Sequence, residues 1–90
     1  MAFEGMDTEA VRALAQQLDR EANTINSIIN SINGIVAQLE GTWKGADATQ
    51  FQGWWESQHR PALQLCEQAV CGLGVSARNN AFHQDQASSV

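Results

Sequence analysis

Two histidines and two cysteines are the residues of this 90-residue chain best suited to chemistry. His59 and Cys66 would share one face of a helix, the arrangement of a thiolate–imidazole pair. Their Cα atoms would then lie about 10 Å apart, too far for direct proton transfer. Cys66 and Cys71 on one helix would be about 8 Å apart, outside the range of an intrachain disulfide. Without a nearby histidine pair their spacing is also poor for zinc. Both read as small boundary hydrophobes, with an intermolecular disulfide as the functional alternative. Asp47, Glu56 and Glu67 follow one another along the same segment, but nothing sets two carboxylates side by side. No glycine-rich phosphate loop, serine nucleophile motif or metal box occurs. The reading is a non-enzyme, with no cofactor and no metal.

Composition narrows the class further. The formal charge is −5 and the pI about 4.7, with only five Lys and Arg and no cluster of them. That disfavours nucleic-acid binding and adsorption to anionic membranes. No apolar run approaches the roughly 18 residues of a membrane span. Met1-Ala2-Phe3-Glu4-Gly5 has neither a basic n-region nor an apolar h-region, so no cleaved signal peptide is expected. One small domain is expected over 1–90, with a thin stability margin that association would commonly remedy.

Two helices must carry whatever the chain does. Residues 7–40 read as the first, with Asp7 as N-cap and Glu9 favourable to the helix dipole. Its apolar seam runs Val11, Leu14, Leu18, Glu21, Ile25, Ile28, Ile32, Ile35 and Leu39, in alternating steps of three and four interrupted only by Glu21. Ala22, Ile29 and Val36 widen that stripe. Gly41 fits a helix stop. Residues 41–46 form a turn around Trp43-Lys44-Gly45, where glycine permits reversal and the indole can bury area against both helix ends.

Residues 47–82 read as a second helix, capped by Asp47 with Gln50 completing a capping box. Its stripe is Ala48, Phe51, Trp55, Ala62, Cys66, Ala69, Leu73 and Ala77, with Trp54, Leu63, Leu65 and Val70 as a second row. Pro61 cannot donate to the Ser57 carbonyl, so a kink is expected there. A flexible tail is expected over 83–90. Two matched helices about a short turn give an all-α antiparallel hairpin. Such a hairpin cannot cover two stripes per helix, and the simplest remedy is a dimeric four-helix bundle. The interface candidates are Val11, Leu14, Leu18, Ile25, Ile28, Ile29, Ile32, Phe51, Trp54 and Trp55. Adjacent on a helix, Trp54 and Trp55 point about 100° apart, so one can fill the hairpin seam while the other anchors a partner. Glu21 is either an edge residue snorkelling to solvent or a specificity device. A partner's Lys or Arg could meet it, or a symmetry mate's Gln58 or Arg60.

Trp43 and Gly45 at the centre of a chain this long, with Phe51 eight residues after the tryptophan and Trp55 near it, resemble the Trp-Xaa-Gly (WXG) family of small type VII (ESX) secretion substrates. The resemblance spans about residues 7–82. It implies a helical hairpin that pairs with a second WXG-type hairpin, heterodimer favoured over homodimer, as a protein-binding or carrier module. It implies export without a cleaved signal peptide, after cytoplasmic synthesis, by a machine whose ATPase the turn could contact. The family's tail signal, a tyrosine followed four residues on by Asp or Glu, has no match, because the chain contains no tyrosine. Phe82 and Asp85 form a degenerate candidate. The favoured reading is that a partner supplies the signal. The alternative class is an intracellular adaptor or chaperone for a larger toxin or effector.

Overall fold

The computed structural model describes residues 5–88, which are helical apart from Gly5–Asp7 and the turn at Trp43–Gly45. Residues 1–4, which hold most of the N-terminal segment read above, and residues 89 and 90 of the expected tail lie outside the described residues. Helix α1 spans Thr8–Thr42. Asp7 is extended and its side chain accepts from the Ala10 N–H at 3.1 Å, while its carbonyl accepts from the Val11 N–H at 3.0 Å. The helix runs through Gly41, which keeps negative φ, and ends when Trp43 turns extended and its N–H donates to the Leu39 carbonyl at 2.8 Å.

The reversal falls on Gly45 rather than Gly41. Its backbone sits at φ 114°, ψ −175°, a region essentially restricted to glycine. A Cβ built there would meet nothing within 4 Å, so the requirement is conformational rather than steric. Helix α2 spans Ala46–Trp54 with Gly45 as its N-cap. The Gly45 carbonyl accepts both the Thr49 N–H at 3.1 Å and the Thr49 hydroxyl at 3.2 Å. Asp47, expected as the cap, lies inside the first turn, where its charge complements the helix dipole.

A π turn over Trp55–His59 joins α2 to α3, Arg60–Ser88. The Arg60 N–H donates to the Trp55 carbonyl, five residues back. Pro61 has no N–H, and in a regular helix its ring would crowd the Ser57 carbonyl. The wider turn accommodates it, so the disturbance expected near Ser57–Pro61 takes the form of one extra residue per turn. That residue shifts everything after it. An uninterrupted helix would carry the Trp55 stripe to Ala62, Cys66, Ala69 and Leu73, and all four are exposed. The side chains that face α1 stand one place later, at Leu63, Glu67, Val70 and Gly74.

The hairpin core is a seam of small residues. On α1, Ala15, Ala22, Ile29 and Val36 are buried in strict heptad steps. On α3, Gly74 and Ala81 are buried. A Cβ on Gly74 would come 2.9 Å from Asp19 Oδ1 and 3.4 Å from the Ala15 carbonyl oxygen, which measures how closely the helices approach. Towards the turn the seam widens into a cluster of Ile29, Val36 and Trp55, flanked by Ile25, Ile32 and Leu63. The Trp55 indole N–H donates to Asn33 Oδ1 at 2.7 Å, a bond worth about 1 kcal/mol.

Helix α3 continues to Ser88 rather than ending at 82, and its last turns dock on the start of α1. Ala81 is fully buried there, and Asp85 pairs with Arg12. The hairpin measures 67 × 17 × 17 Å, two helices thick and no more. Enlarging the seam should separate the helices. Ala15→Leu is expected to lower stability by about 1–3 kcal/mol, read from urea denaturation followed by circular dichroism. An unchanged midpoint would show that the helices are not closely packed at Ala15.

Candidate partner-binding face

The two edges of the hairpin differ. Seven-residue steps put Arg12, Asp19 and Asn33 on one flank of the α1 seam, and Val11, Leu18, Ile25, Ile32 and Leu39 on the other. The first flank is tied to the opposite arm by polar bonds. Arg12 pairs with Asp85, Asp19 with Arg78, and Asn33 with Trp55. Arg78 also donates to the Ala15 carbonyl at 3.4 Å. The second flank is apolar and partly buried throughout. Antiparallel helices place like flanks together, so Leu63, Val70 and Ala77 of α3 line this apolar edge.

Beyond that edge lies a row left in solvent. Leu14, Ile28 and Ile35 are 57%, 48% and 56% exposed, with Glu21 in step between Leu14 and Ile28. Leu73 stands beyond Val70 in the matching position on α3 and is also exposed. Three branched side chains in heptad register along one helix are the surface a further helix would cover.

The residues proposed from sequence as interface candidates divide three ways. Ile29 and Trp55 are buried inside the hairpin and cannot reach a partner in this fold. Val11, Leu18, Ile25 and Ile32 are partly buried on the apolar edge. Leu14, Ile28, Phe51 and Trp54 are exposed. Phe51 packs against Trp43 across the turn, ring centroids 5.6 Å apart at 53°, and both rings keep an exposed side. Of the adjacent tryptophans, Trp55 therefore fills the seam and Trp54 faces outward. Ile35 and Leu73 were not singled out as interface residues. Both were assigned to the seam because their spacing fits it.

Phe82 and Asp85 do not form one outward motif. Phe82 is exposed and meets His83 edge-on, centroids 5.8 Å apart. Asp85 turns back to α1. The hydrogen bond from Arg12, and then that from Thr8, hold its carboxyl below the usual 3.8. Cys66 and Cys71 are free and exposed, and among the described residues no group of His, Cys, Asp and Glu could hold a metal ion. A shallow groove of about 510 Å³ runs along α3 past Gln68, Gly72, Val75 and Asn79.

The family described as proteins of 100 residues with WXG matches this chain over residues 5–85. The chain belongs to the WXG100 family. Within that span the chain has one Trp-Xaa-Gly step, Trp43-Lys44-Gly45, and its glycine makes the reversal. WXG100 proteins are small helical proteins of type VII secretion, associated with secretion rather than catalysis, and they generally pair with other WXG proteins. Comparisons with curated proteins and with solved structures gave no match. Among the described residues no helix is long and apolar enough to cross a membrane.

The Asp85 pair gives a pH prediction. A carboxyl with a lowered folded pKa stabilises the fold above its unfolded value and loses that contribution as pH falls through the folded one. Asp85→Asn should therefore be less stable than wild type at pH 7, and the gap should close as pH falls below 3.8. Thermal melts across pH 2–7 would check this, and a gap that persists at pH 2 would contradict it.

Proposed function

We propose that this hairpin is a non-catalytic binding module, exported by a type VII system, that pairs with a second WXG-type hairpin in a four-helix bundle. The observation that carries the reading is the exposed row Leu14, Ile28 and Ile35, continuous with a partly buried apolar edge. Among the described residues nothing lies over that row. Burying three such side chains contributes about 1.5–3 kcal/mol each, large beside the margin of a chain this small.

The second hairpin would also carry the export address. Asp85, the acidic half of the degenerate signal, is engaged by Arg12 and Thr8, which supports a signal read from the partner. Lys44 and the outer faces of Trp43 and Phe51 lie at the opposite end, free for the secretion ATPase. The adaptor reading differs in one observable, since an adaptor stays inside the cell.

Ile28→Asp tests the proposal. In the producing cell it should abolish co-purification of the partner and lower the chain in culture supernatant by about tenfold or more. Helix content should stay near wild type, because Ile28 lies outside the hairpin core. Normal export and pairing of Ile28→Asp would refute the proposal. Normal pairing with no wild-type protein in the supernatant would favour the adaptor.

A further inference from the structure

The pairing row contains one charge, and among the described residues no Lys or Arg stands to meet it. Glu21 stands in step with Leu14, Ile28 and Ile35. Its helical neighbours three and four residues away are Gln17, Leu18, Thr24 and Ile25, all uncharged. The chain has five Lys and Arg. Arg12, Arg60 and Arg78 are paired with Asp85, Glu56 and Asp19. Arg20, next in sequence, points about 100° away from Glu21, on the back of the helix. Lys44 is at the turn, roughly 34 Å along the helix at 1.5 Å per residue.

The opposite arm adds to the negative charge. From Pro61 to Ala77 it carries no Lys or Arg, and its one charged residue is Glu67. Glu67 stands one heptad before Gly74, partly buried at the seam, and lines the outer groove of α3. The pairing row thus holds the Glu21 carboxylate and, among the described residues, no counter-charge.

A second copy of this chain would bring the same row. In any antiparallel register Glu21 would meet Leu14, Ile28, Ile35 or another Glu21. Arg60, a cation that a symmetry mate could bring near, is paired with Glu56, so meeting Glu21 would exchange one carboxylate for another. Burying an unpaired carboxylate against apolar side chains, or against its own kind, is strongly unfavourable.

We infer that Glu21 selects the partner. The face rejects a second copy of this chain and accepts a different hairpin that presents a Lys or Arg within its own apolar row. The inference rests on the pairing reading above and adds to it the chemistry of the partner and the exclusion of self.

Sedimentation equilibrium on the full chain tests it. Glu21→Leu should self-associate about tenfold more tightly than wild type, or more. Glu40→Leu removes the same charge from the polar flank and should stay within about threefold of wild type. Equal self-association of the Glu21→Leu and Glu40→Leu chains would overturn the inference, and so would a Glu21→Leu chain that remains monomeric. Copies carrying Leu14→Lys, Glu21→Lys or Ile28→Lys, each mixed with wild type, supply a cation at successive row positions. At least one mixture should pair about tenfold more tightly than wild type with itself; no gain in any of the three would also overturn it. The Ile28→Asp export assay does not depend on residue 21, so it judges the pairing reading separately.

Discussion

Everything in this hairpin follows from how closely its two arms approach. Ala15 and Ala22 on one arm and Gly74 and Ala81 on the other leave no room between the helices for a larger side chain. Such packing brings backbones together and gains dispersion contacts, but it encloses little apolar area. Away from the Ile29, Val36 and Trp55 cluster the large side chains stand at the edges, and no large side chain is fully buried. One edge is closed by ion pairs and the bond between Asn33 and Trp55. The other is left apolar and open. Leu14, Ile28 and Ile35 are left outside while Ile29, Val36 and Trp55 fill the wider part of the seam.

The central turn has a narrower job than its conspicuous residues imply. Gly45 supplies a conformation closed to other residues, and that is what reverses the chain. Trp43 helps by meeting Phe51, yet the indole that fills the seam is Trp55. The one-residue skip beside Pro61 then sets the register of everything that follows. It turns Leu63 and Val70 inward, leaves Cys66 and Leu73 outside, and brings Gly74 opposite Ala15.

These features were unequally visible in the sequence. The two arms, their antiparallel arrangement and the place of the turn are written in the periodicity and in Trp43 and Gly45. Direction around each helix was harder to read. On α1 two stripes share the row of Val11, Leu18, Ile25 and Ile32. Hydrophobic size favours the side with Leu14, Ile28 and Ile35, whereas close packing favours the side with Ala15 and Ala22. An alanine seam is quiet in any hydrophobicity pattern. On α3 the phase was lost at the π turn, since a proline announces a disturbance but not that one residue will be absorbed. The cap expected at Asp47 falls on Gly45, and the stop expected at Gly41 falls where Trp43 turns extended. The family was legible from a few residues; that only one edge is left apolar was not, because the ion pairs that close the other edge join residues far apart in sequence.

The central claim is that the partner lies on the edge of Leu14, Ile28 and Ile35 rather than along the outer groove of α3. Hydroxyl-radical footprinting of the chain in the assembly recovered from culture supernatant, compared with the isolated chain, tests this directly. The account predicts strong protection of Leu14, Ile28, Ile35 and Leu73, with Leu65 and Phe82 as reactive as in the isolated hairpin. Protection of Leu65, Val75 and Phe82, with Leu14, Ile28 and Ile35 still reactive, would contradict it.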